Sequence, residues 1–141
     1  MAGTYSVTDN AVNIAAGGKA FVQEAILDFS TTNLAATETI DVFEVPANTL
    51  VVTAGIQLVT AGSAAGTLDM GDGTAADTWV ADIDADSATA GLSSFGTTPK
   101  AYTTADTIDV AAVTEDFDGK IRVVAVMMPL GPSTADGAAF A

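Results

Sequence analysis

The chain contains no cysteine and no histidine. Without cysteine there is no disulfide, no thiolate metal site and no thiol nucleophile. Without histidine the commonest general base, the commonest neutral metal ligand and the side chain that titrates near neutrality are all missing. Cations are scarce too. Lys19, Lys100, Lys120 and Arg122 stand against 18 acids, giving a net charge of −14 over 141 residues. That balance argues against DNA or RNA as a direct partner, because phosphate neutralisation needs clustered Lys and Arg. The same repulsion disfavours an anionic membrane surface. Aromatics are few, with Trp79 the sole tryptophan and Tyr5 and Tyr102 the two tyrosines. Two carboxylates suffice for a glycosidase, but sugar sites usually stack aromatic rings on the substrate. No run of 18 apolar residues occurs, so no spanning helix is expected. The opening MAGTYSVTDN lacks the basic and apolar regions of a signal peptide, and synthesis in the cytosol is expected.

What is present is Ala, Thr, Val and Gly in short periodic pieces. Thr and Val favour strands because their branched Cβ packs on a pleated surface. Gly and Asp punctuate the chain every eight to twelve residues or so, which suits a sandwich or barrel. Strands are expected at 20–29, 38–45, 49–60, 67–71, near Trp79–Ile83, at 106–113 and at 120–130, with a short apolar piece at Leu92 and Phe95. In the first, Phe21, Ile26, Leu27 and Phe29 are the expected apolar anchors. In the second, the alternation changes face near Val42 and Phe43, which predicts a bulge. In the third, Leu50, Val52, Ala54, Ile56 and Leu58 are expected to face the core, with Gly55 marking a bend or bulge. The segment TEDFDG at 114–119 reads as an acidic turn. The last strand is apolar on both sides: Ile121, Val123, Ala125 and Met127 on one, Val124, Val126 and Met128 on the other. A strand of that kind is central, with one face in the core and the other under a loop or against a partner. The expected fold class is all-β: a single jelly-roll-like antiparallel β-sandwich over 20–130, an N-terminal arm at 1–19 and a flexible C-terminal tail at 131–141.

The candidates for chemistry are weak. Asp82, Asp84 and Asp86 alternate as the opening of a calcium loop does. However, Ser87 stands where that loop needs Gly and Ser93 where it needs Glu, so solvated loop carboxylates are the simpler reading. No metal and no cofactor is therefore expected. Gly71-x-Gly73 precedes no helix, and Ser93 and Ser94 have no His partner. Lys120 and Arg122 suit a local salt bridge to Asp109 or Asp118, or an anchor on an acidic partner.

Several segments carry a resemblance: Ile40-Asp41-Val42-Phe43-Glu44-Val45-Pro46-Ala47-Asn48-Thr49-Leu50-Val51, Leu68-Asp69-Met70-Gly71-Asp72-Gly73, Asp106-Thr107-Ile108-Asp109-Val110, and Lys120-Ile121-Arg122-Val123-Val124-Ala125-Val126. Together they resemble the small virion proteins of tailed bacteriophages, marine and cyanobacterial ones especially, over 20–130. The resemblance implies a non-enzymatic capsid decoration (cement) protein on the outer capsid surface. Such proteins form homodimers or homotrimers and bridge major capsid subunits. The expected contact residues are Tyr5, Val7, Val12 and Ile14 of the arm, Trp79 with Phe95, and Arg122, Val124, Val126 and Met128. The alternatives are a tail or head-fibre subunit, or a carbohydrate-binding β-sandwich using Trp79 and the acidic loops.

Overall fold

The computed structural model describes residues 20–86 and 91–130. The arm, with its Tyr5, Val7, Val12 and Ile14, and the tail lie outside the described residues. Those residues form nine strands: β1 (Phe21–Asp28), β2 (Thr39–Val45), β3 (Thr49–Thr60), β4 (Thr67–Asp72), β5 (Val80–Asp84), β6 (Ser93–Phe95), β7 (Lys100–Tyr102), β8 (Asp106–Ala112) and β9 (Lys120–Pro129). All pairings are antiparallel. One sheet runs β1-β9-β3-β6 with β7 also on β3, and the other runs β2-β8-β4-β5. β6 and β7 lie end to end along β3, opposite Gly55 and Val51 respectively. Counted as one interrupted strand, they leave eight. Successive strands then cross from sheet to sheet, apart from the β4–β5 hairpin, which is the winding of a jelly roll.

The core lies between the sheets. β9 supplies Ile121, Val123, Ala125 and Met127, all fully buried, as its alternation predicts. Facing them are Leu68, Met70, Ile108 and Val110 of the second sheet. The register of β2 on β8 slips between Asp41 and Phe43, the expected bulge. β3 corrects the sequence reading. A second slip, between Val51 and Thr53, inserts Val52 as an extra residue. The phase changes there, so Val51 is buried and Val52 is exposed, while Ala54, Ile56 and Leu58 face inward as expected. Phe21 and Ile26 are not buried anchors either: Phe21, opposite Met127 on the inner side, is 37 % exposed at the start of β1. β1 is an edge strand, and Ile26 sits opposite Arg122 on the outside of the sheet rather than in the core.

One end of the sandwich is closed by loops. Phe117, in the middle of the segment read as an acidic turn, is fully enclosed. Its backbone exchanges hydrogen bonds of 2.8 and 2.9 Å with Leu34, and its ring meets Phe29 edge-on at 5.7 Å. Gly62 and Gly119 press against that ring, leaving no room for a Cβ.

A polar clamp joins the sheets near the other end. The Asp72 side chain at the end of β4 has no solvent exposure. It accepts hydrogen bonds from Lys100 Nζ at 2.5 Å and Tyr102 Oη at 2.7 Å, both on β7. It also accepts the amides of Thr74 and Ala75. Burial by itself raises the carboxyl, but these four donors outweigh it and hold the pKa at about 2. Tyr102 is shifted the other way. Burial and then the Asp72 charge push its phenol far above the ordinary range.

Candidate functional site

The two outer faces of the sandwich differ in chemistry. In antiparallel sheets, directly paired residues share a face, so the register assigns each one. The outside of the five-stranded sheet collects Val22 and Ile26 of β1 and Val124, Val126 and Met128 of β9. Leu50 of β3 joins them opposite Met128, and Phe95 of β6 opposite Gly55. The Phe95 ring occupies the space where a Cβ on Gly55 would stand. The glycine thus serves ring packing rather than a bend. Val22 is 63 % exposed, Ile26 54 % and Phe95 43 %. All six exposed large apolar residues among those described lie on this sheet or in the residue that follows it: Phe21, Val22, Ile26, Val52, Phe95 and Leu130.

One margin of this face is ionic. Lys120 Nζ lies 2.8 Å from Asp28, and Arg122 Nη1 lies 2.9 Å from Glu24. The salt bridges expected of Lys120 and Arg122 therefore exist, but they reach across to β1 and not to Asp109 or Asp118. Asp118 instead binds the amide and hydroxyl of Ser63, at 2.7 and 2.6 Å. The Lys120 contact and the Ser30 hydroxyl and amide hold the Asp28 carboxyl well below its usual value.

The outside of the four-stranded sheet is acidic. Asp41 and Asp109 face each other directly across β2 and β8, Glu44 lies opposite Thr107, and Asp69 opposite Ala111. Among the described residues no Lys or Arg lies on this face, because Lys100 is in the clamp and Lys120 and Arg122 are on the other sheet. Asp109 is 6 % exposed, and its Oδ1 has no hydrogen-bond partner. Its pKa is raised, first by burial and then by the charges of Asp41, Asp106 and Asp72, against a hydrogen bond from Thr107.

The remaining expected residues are placed as follows. Arg122, Val124, Val126, Met128 and Phe95 converge on one surface. Trp79 does not join them: it is 5 % exposed and packs in the core, with Gly96 against its ring. Asp82 has a left-handed backbone, φ 53°, and its amide donates to Asp69. Asp84 accepts the amide of Asp86. Among the described residues, no three acidic side chains converge as a metal-binding group. A shallow hollow of about 360 Å³ lies between β1, β2 and the loop joining them, lined by Asp28, Leu34, Glu38 and Ile40 among others. Asp28 there is already committed to Lys120. The sequence reading missed Val22, Ile26 and Leu50 as members of the apolar face. The signal for the first two was there, since they share the even phase of β1 with Glu24 and Asp28.

The fold and its faces define a jelly-roll β-sandwich with one apolar and one acidic outer surface. No family model matches the sequence, and no curated protein matches it. Solved structures do share the fold. A chain of the acid-stable capsid structure of the Helicobacter pylori bacteriophage KHP30 superimposes with a TM-score of 0.61 at 12 % identity, covering 79 % of this chain and 87 % of that one. A chain of the cyanophage Pam1 capsid asymmetric unit gives 0.59 at 16 % identity, covering 79 % and 84 %. A chain of the Ralstonia phage GP4 capsid gives 0.54 at 19 %, covering 83 % and 88 %.

Proposed function

We propose that this protein is a capsid decoration protein: a structural virion component that sits on the outer capsid surface and bridges major capsid subunits. The observation that carries the reading is the pairing of a jelly roll found in phage capsid structures with a sandwich whose two outer faces are so unlike. The apolar face, with Val124, Val126, Met128, Leu50 and Phe95 at its centre, docks on the shell. The acidic face turns to solvent and keeps particles apart by mutual repulsion. Apolar patches of this kind on one side of a soluble sandwich mark association surfaces. The ion pairs at the margin are exposed and screened by solvent, so they set orientation more than affinity. Stabilisation of the shell follows from mass action: many copies bind the expanded form and hold it against collapse or rupture. A glycan-binding role has lost its aromatic platform, since Trp79 is in the core.

The test is addition of purified protein to expanded capsids that lack it. Saturable density on the outer shell, and a higher temperature of genome release, are expected. Val126→Asp is expected to keep the fold, because the side chain points outward, and to abolish that density. Density on tails alone, or full binding by Val126→Asp, would overturn the reading.

A further inference from the structure

Among the described residues the jelly roll leaves four sheet margins, and three of them are guarded. β6 and β7 are three residues each. β2 is bulged beside Asp41. β5 is short, with a register slip and a left-handed Asp82. Short length, bulges and free charges are the usual defences of an edge strand. β1 has none of them. It runs eight residues with no register slip, no Pro and no Lys or Arg. Its two acids are neutralised by Lys120 and Arg122 of β9. Among the described residues, nothing pairs with its outer edge.

The free backbone groups can be assigned. The Phe29 amide donates to the Gly119 carbonyl, continuing the β1–β9 register by one residue. Antiparallel pairing alternates, so the odd residues of β1 bond to β9. The even ones, Val22, Glu24 and Ile26, direct their N–H and C=O groups away from the sheet. A second copy meeting this edge about a two-fold axis at Glu24 sets Val22 opposite Ile26 twice on the outer side, and Phe21 opposite Leu27 twice on the inner side. The two Glu24 residues meet at the centre, each held by its own Arg122. Moving the axis by one residue, to Ala25, sets Val22 against Asp28 and Ile26 against Glu24, which buries apolar groups against acids. One register is therefore selected.

We infer that β1 is a self-association edge, joining two copies of this chain antiparallel through about six main-chain hydrogen bonds into one sheet. The two-fold axis stands perpendicular to that sheet, so both apolar faces point the same way. The inference deepens the self-association part of the decoration reading, and its tests use no capsids, so either idea can fail without the other.

Sedimentation equilibrium on the full chain is expected to show a dimer. Ile26→Pro removes an N–H that the β1–β9 ladder does not use. It is expected to weaken the dimer by more than about tenfold in dissociation constant while the melting profile stays cooperative. Because the chain has no cysteine, Glu24→Cys supplies a probe that does not depend on that variant folding. Residue 24 meets its own copy at a Cα separation of roughly 5.5 Å. Mild oxidation is then expected to give a covalent dimer with Glu24→Cys and none with Ile26→Cys alone. Three results would each overturn the inference: a monomer at millimolar concentration, equal cross-linking by the two cysteines, or a monomer that dimerises only when residues 1–19 are removed. The last would mean that the chain's own arm holds the edge.

Discussion

At the scale of single residues, the informative groups are two buried carboxyls shifted in opposite directions. Asp72 sits below its unfolded value of 3.8, at about 2. A depressed acid contributes stability that is complete above the unfolded value and is lost as pH falls from there through about 2. Asp72→Asn should therefore flatten the acid side of the stability curve over that window, as followed by urea denaturation at a series of pH values. Tyr102→Phe removes one hydrogen bond to the buried charge and is expected to cost roughly 1.5–3 kcal/mol at neutral pH. Asp109 is raised, so the sign reverses: its favourable term is present below 3.8 and is lost as pH climbs through the elevated native value. Ionised, it is a charge facing Asp41 across the ladder, an arrangement that destabilises by a few tenths to about 1 kcal/mol. Asp109→Asn, whose amide can donate to Asp41, is expected to raise the melting temperature at pH 7 and to lose that advantage in acid. None of this was legible in the sequence. Asp72 and Lys100 are brought together by the winding of the strands, and Asp109 reads there as a salt-bridge partner for Lys120 or Arg122.

At the scale of elements, alternation carried most of the information. β3 and the two-sided β9 follow from apolar periodicity, and the β2 bulge from the change of face at Val42. Reading failed where a partner sets the outcome. The Val52 bulge depends on the register with β9 and leaves no trace in composition. β7 is three residues whose pattern is too short to register. Phe117 and Leu34 lie in segments that are polar by count, so their burial follows only from closure of the sandwich end. Gly55 reads as a bend or a bulge, whereas the slips of β3 fall at Val51/Thr53 and Leu58/Thr60 and Gly55 makes room for Phe95 on the outer face. Gly55→Ala would set a methyl group against that ring and the Ser94 carbonyl. A loss of about 1–3 kcal/mol is expected by denaturant titration, with release of β6 seen as faster amide exchange. Phe117→Ala empties the loop-covered end and is expected to cost about 3–5 kcal/mol.

At the scale of the whole molecule, the candidate surface was legible in part. Val124, Val126, Met128 and Arg122 followed from one strand being apolar on both sides, whereas Trp79 misled because a lone tryptophan suits a core as well as a contact. The strand order has a further consequence, for synthesis. β9 is the last of the described strands in chain order, and it lies between β1 and β3 in the middle of its sheet. Until residues 120–129 emerge, β1 lacks its one neighbour among the described strands, and Ile121, Val123, Ala125 and Met127 are missing from the core. The five-stranded sheet therefore cannot close until β9 is made. The earlier strands of that sheet wait for β9 and then close through contacts distant in sequence, a step that is slow for such topologies. A nascent chain arrested at Gly119 is expected to be digested by protease as an unfolded polypeptide. The same chain extended past Leu130 by a linker long enough to clear the exit tunnel is expected to resist.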